Sequence, residues 1–116
     1  MIVHILEKSE WEQAKEAGFY EARNIKKDGF IHCSLTEQIV GVANFGYVGR
    51  QNMLMLVLDE EKVDSPVVFE DLYGYEVDFP HIYGPINLDS VVEVLEFPCN
   101  EDGTFDLPKE AEKYLA

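Results

Sequence analysis

The chain is poor in positive charge. Its 116 residues carry 9 lysines and arginines against 23 aspartates and glutamates, a formal net charge of −14. Its only arginines are Arg23 and Arg50, and no basic run is longer than Lys26-Lys27. Nucleic-acid binders need cations that displace phosphate counterions, so this balance argues against DNA or RNA as a partner. It argues against anionic membrane surfaces for the same reason. A small anionic ligand needs only local donors and is not excluded. Long apolar runs are also missing, and nothing approaches the ~20 residues that span a bilayer. The opening "MIVHILEKSEWEQ" has no basic segment and turns charged at once, unlike a secretory signal. Cysteine is scarce: Cys33 and Cys99 show neither metal-type spacing nor a disulfide framework. Both read as reduced thiols, which points to a cytoplasmic protein. There is no Walker loop and no G-x-G-x-x-G.

What is present suits one domain over residues 1–116. The chain is 47% hydrophobic and 12% aromatic, enough for a real core. "MIVHIL" reads as a strand. "SEWEQAKEAGF" reads as a helix capped by Ser9, with Glu12 completing a capping box and Gly18 as its stop. "YEARNIKKDG" reads as a loop. "FIHCSL" is a second strand, and "TEQIVGVANFGY" a second helix capped by Thr36. The continuous apolar run "NMLMLVLD" suits a central strand buried on both faces. "PVVFEDLYGYEVDFPHIYG" reads as two extended pieces around a turn near Gly74, "SVVEVLEF" as another strand, and "LPKEAEKYLA" as a C-terminal helix. The fold class expected is α+β, with a split or bent, mostly antiparallel sheet, two early helices and one at the end.

The chemistry-bearing residues are few. Strand alternation puts Phe30, His32 and Ser34 on one face and Ile31, Cys33 and Leu35 on the other, which is the core face. His32 then serves either a cleft or a hydrogen bond to a nearby loop. His4 sits mid-strand and needs a partner if buried. It is either a satisfied core histidine or a ligand group. Glu70 closes an apolar strand where a carboxylate can reach a cleft, whereas Glu76 and Asp78 read as solvated acids. His81 and Tyr83 share a face of an extended "PHIY", held between Pro80 and Pro85. They form either a cleft wall or a proline-framed turn. Three histidines and a glutamate invite a metal reading, but no H-x-x-x-H or H-x-H spacing supports one. His32 and Ser34, two apart on a strand, are not a nucleophile–base pair.

"VHI", "AGFY", "GFIHCS", "FE" and "FPHIYGP" occur here in that order, from His4 to about Phe97. In this the chain resembles the DUF952 family of small bacterial domains. The resemblance implies an ADP-ribosyltransferase-like fold that binds NAD in a cleft of a split sheet. The early segment is similar to RNA 2′-phosphotransferases at His4, Gly18-Phe19 and the "IHCS" strand with His32 and Ser34. By that likeness His4 would hold the NAD ribose, His32 would lie against the nicotinamide, and Glu70 would contact the ribose hydroxyls. His81, Tyr83 and Ser34 would finish the pocket. RNA phosphotransferases grip phosphate with several arginines, and Arg23 is the best remaining candidate here. Cleavage of the nicotinamide–ribose bond develops oxocarbenium character, which a carboxylate stabilises. Three readings follow: a transferase using NAD or a related nucleotide as substrate, a non-catalytic module that binds a small metabolite, or an acidic domain that meets a basic protein.

Overall fold

An apolar run with no polar alternation has to be covered on both sides. In the computed structural model, which describes residues 1–23 and 25–115, "MLMLVL" is the central strand β4 (Met53–Leu58). It lies between β1 (Ile2–Glu7) and β8 (Val91–Glu96), antiparallel to both. All six of its residues are buried. Burial of each large apolar side chain contributes roughly 1.5–3 kcal/mol. One face of this sheet packs Ile2, Leu6, Leu54, Leu56 and Leu58 against the rest of the domain. The other packs Val3, Ile5, Met55 and Val57 against Ile39, Phe97 and their neighbours.

Among the described residues there are two further sheets. β3 (Ile31–His32), β6 (Phe79–Ile82) and β5 (Val67–Glu70) form a three-stranded antiparallel sheet in the order β3-β6-β5. β2 (Phe19–Tyr20) pairs with β7 (Ile86–Asn87). The sheet centred on β4 and the β3-β6-β5 sheet meet where Val3 and Ser34 exchange two backbone hydrogen bonds, at 2.8 and 2.9 Å. The expected split antiparallel sheet in an α+β domain is therefore present.

The helices start differently from the sequence expectation. α1 (Lys8–Ala17) begins one residue before Ser9, and its cap is Glu7, whose N–H donates to Glu10 Oε1 at 3.1 Å. The reason is the ladder of β1, which runs through Glu7 and continues as Lys8 N–H to the Asn52 carbonyl. The chain thus passes straight from strand to helix, and Ser9 is already helical. Gly18 does end α1, in the left-handed region at φ 87°. α3 (Thr36–Gly46) is preceded by Leu35, whose N–H donates to Gln38 Oε1 at 2.8 Å. Thr36 is its first helical residue, and its buried hydroxyl has no partner among the described residues. The loop expected at residues 20–29 contains the end of β2 and a single-turn α2 (Ile25–Asp28); Asn24 lies outside the described residues. The C-terminal helix is a 3₁₀ segment, Lys109–Tyr114; Ala116 also lies outside. Six residues after a proline are too few for a stable α-helix. The segment is held instead by burial of Ala111 and by the Tyr114 hydroxyl on Glu93.

Candidate functional site

Alternation on β3 and β6 decides which side chains reach the cleft. His32 and His81 are direct cross-strand neighbours, so their rings lie on the same face, edge to face with centroids 5.5 Å apart. Ile31 and Ile82 point the other way and are fully buried in the core. Phe30, two residues before His32, stacks on the His81 ring at 4.1 Å and 24°. Tyr83, two residues after His81, and Glu70 at the end of β5 complete this face. His81 Nδ1 and Glu70 Oε2 are 2.8 Å apart, and the Tyr83 hydroxyl donates to the same oxygen. These two donors, Tyr83 first and His81 second, hold the Glu70 carboxyl below the usual glutamate range. The same contact raises the Tyr83 phenol. With Glu70 accepting, Nδ1 of His81 is the donor of this bond, and the His81 side chain is almost wholly buried.

Next to this face lies a cleft of about 700 Å³, lined by His32, His81, Tyr73, Tyr75, Phe79 and Phe45. Ser34 reaches it from the segment after β3, and Glu37 and Gln38 from the first turn of α3. Its outer wall is the turn after β5. There Asp71 accepts the backbone N–H groups of Gly74, Tyr75 and Glu76, and Gly74 takes φ 76°. Glu76 is also left-handed, at φ 63°, an uncommon state for a residue with a side chain. The turn presents Tyr73 and Tyr75, 51% and 60% exposed, and α3 presents Phe45 at 88%. Gln38 ties the two walls together by donating to the Asp78 carbonyl at 2.9 Å. Tyr73 lies nearly parallel to His32, at 6.2 Å and 17°, and His32 Nε2 pairs with Asp28 at 3.0 Å.

A second, smaller cleft of about 240 Å³ lies on the other side of His32. His4 lines it, with Tyr20, Arg23, Arg50, Glu7 and Glu10. His4 Nδ1 donates to the His32 carbonyl at 2.6 Å, and Nε2 accepts from the Tyr20 hydroxyl at 2.9 Å. Burial lowers its pKa to about 4, against the partial support of the carbonyl, so the ring is neutral. Burial likewise raises the Tyr20 phenol and the Cys33 thiol, which keeps Cys33 unreactive. Glu7 binds Arg50 at 2.6 Å and Arg23 at 3.5 Å, and Arg23 reaches Glu10 at 3.8 Å. The charges of this cleft are therefore paired within the protein.

Of the residues singled out in the sequence, His32, His81, Glu70 and Tyr83 form one connected group, and Ser34 lines the aromatic cleft beside them. Glu70 sits behind His81 and is not part of the cleft lining. His4 and Arg23 belong to the second cleft, which touches the first at His32. Tyr73, Tyr75 and Phe45 went unremarked in the sequence. A pair of tyrosines flanking a glycine in an acidic turn was the available signal, because a turn has no core into which to fold two large rings. Among the described residues no group of three or more histidine, cysteine or acidic side chains is placed to hold a metal ion. Among them, too, no helix is long and apolar enough to cross a membrane.

Fold and site together describe a small α+β domain that holds a histidine–carboxylate pair beside an open aromatic cleft. The chain belongs to the family described as protein of unknown function (DUF952), whose model matches residues 5–94. It is similar to protein CC0527 from Caulobacter crescentus. The crystal structure of that protein is 31% identical, covers 91% of this chain and 93% of its own, and superposes with a TM-score of 0.83. The solution NMR structure of CC0527 gives 30% identity, coverage of 99% and 96%, and a TM-score of 0.79. No curated protein matches the chain.

Proposed function

We propose that this protein binds NAD or a related nucleotide, with the heteroaromatic ring of the ligand in the cleft between His32, Tyr73 and Tyr75. The observation that carries this reading is the exposure of Phe45, Tyr73 and Tyr75 around one hollow that His32 and His81 also line. Exposed rings converging on a cavity supply stacking surface for a flat ring, worth roughly 1–3 kcal/mol per base. The resemblance to ADP-ribosyltransferase-like proteins supplies the nucleotide. The aromatic lining supports the reading for the ring end of such a ligand. At the phosphate end the lining of the aromatic cleft includes no lysine or arginine. Arg23 and Arg50 lie across His32, and each would have to release a carboxylate to meet a phosphate.

A second reading, ADP-ribosyl transfer, is favoured by the Glu70–His81 pair. In that reaction the glycosidic C–N bond breaks with its electron pair leaving on nicotinamide, and the oxygen of water or an acceptor hydroxyl bonds the ribose carbon. His81 Nε2 accepts the proton lost by that oxygen, and Glu70 orients the ring and stabilises its charged form. Glu70 here acts through His81 and does not touch the ribose. His4 holds the His32 backbone in place and does not grip the ligand.

Calorimetry and NMR titration of the full chain with NAD test the binding reading. Saturable heat, with shifts at His32, Tyr73 and Tyr75, is expected, and Tyr73→Ala should weaken it. No heat and no shift at millimolar NAD would overturn it. Mass spectrometry for released nicotinamide tests the second reading. Glu70→Gln should retain binding and lose release. Release at the wild-type rate in that variant would remove Glu70 from the chemistry.

A further inference from the structure

The aromatic cleft has a charge character of its own. Its lining contains no lysine or arginine, one carboxylate at the rim in Glu37, and four aromatic side chains besides its two histidines. Ring faces attract cations through their quadrupole, and a nearby carboxylate adds to that attraction. Both histidines are backed by an acid, His81 by Glu70 and His32 by Asp28. Each imidazole of the lining therefore has a carboxylate beside it. Asp71, the organiser of the turn that carries Tyr73 and Tyr75, adds a further negative group behind the wall. A chain of net charge −14 strengthens the same field at long range.

We propose that the cleft selects a positively charged ring, an N-alkylpyridinium such as the oxidised nicotinamide ring, over a neutral ring of the same size. A neutral heterocycle gains the stacking area alone. The pyridinium gains that area, the ring quadrupoles of Tyr73, Tyr75 and Phe45, and the Glu37 carboxylate. The inference takes from the nucleotide reading only the carrier of the ring, and it identifies the charge state as what the site recognises.

The experiment compares the N-methylnicotinamide cation with neutral nicotinamide by calorimetry on the full chain, with NMR locating the shifts. The cation should bind about tenfold more tightly or better, the range that a partly desolvated cation–π site supplies. Added salt and Glu37→Gln should each reduce that preference by about threefold, while nicotinamide is unaffected. Tyr73→Leu, which keeps apolar area and removes a ring face, should narrow the preference further. Equal affinities for the two probes, or no binding of either, overturn the proposal. Parallel titrations with oxidised and reduced dinucleotide separate the two ideas. Equal binding of both forms defeats charge selection and leaves nucleotide binding standing. Binding of the N-methylnicotinamide cation with no binding of either dinucleotide does the reverse.

Discussion

The two clefts on either side of His32 differ in what they leave undone. In the smaller one the charged groups and the buried histidine are partnered within the protein: His4 has two hydrogen bonds, Glu7 has both arginines, and Tyr20 has the His4 ring. In the larger one the histidines are tied from behind, and the rings of Tyr73, Tyr75 and Phe45 stand in water. A hollow whose charges satisfy one another is part of what holds the fold. A hollow that exposes large apolar rings keeps a cost that a ligand removes. The same residue types, histidine, tyrosine and carboxylate, thus do structural work on one side of β3 and face an open cleft on the other.

This contrast breaks most visibly at His4. Replacement by alanine strands the His32 carbonyl and the Tyr20 hydroxyl and opens a cavity, and should cost about 3 kcal/mol in urea unfolding. A cost below about 1 kcal/mol would mean that the smaller cleft is not a structural network. The same residue makes stability depend on pH. Its folded-state pKa, about 4, lies below the unfolded value of 6.5, so the unfolded chain binds the extra proton. The His4 contribution is complete above about pH 6.5 and is lost as pH falls toward 4, a loss of about 3 kcal/mol. Subtracting the pH profile of His4→Gln from the wild-type profile should isolate it, and a flat difference would place the ring in water.

On the other side of His32 the expected effects move from stability to affinity. Tyr73→Ala should change unfolding by no more than about 0.5 kcal/mol, yet weaken cleft ligands by roughly tenfold, within the range of a lost stacking partner. A large loss of stability with unchanged affinity would reverse the assignment of the two clefts. The smallest effect is expected at Arg50→Met. Its pair with Glu7 is half exposed, and such pairs contribute less than ~1 kcal/mol. Binding in the aromatic cleft should not respond, and a loss of dinucleotide affinity in this variant would show that the arginine reaches the ligand.

Much of this was legible in the order of residues. The unbroken run at Met53–Leu58 called for a strand covered on both faces, because any polar face would have interrupted it. Alternation in "GFIHCS" separated His32 from Ile31, and the prolines around His81 marked an extended, stiff segment. The cap of α1 was not legible. Ser9 has the right chemistry, but pairing of β1 through Glu7 set where the helix begins. The C-terminal segment carried a helical pattern that was too short to propagate. The roles of the histidines were not legible either, since an imidazole in a strand looks the same whether its nitrogens find partners or face a cavity.

The sequence by itself determined the longer strands, the two longer helices, the acidic exterior and the face to which each β3 side chain belongs, but not the two-residue strands β2 and β7. Those follow from periodicity and charge, which act over a few neighbouring residues. Only the tertiary structure decided that Ser34 pairs with Val3, that this pairing brings the His32 carbonyl onto His4, and that Tyr73 comes to lie along His32 from the far side. Those contacts join segments 28 to 41 residues apart. Their partners are chosen by how the separate sheets close on a common core, and local sequence carries no record of that choice.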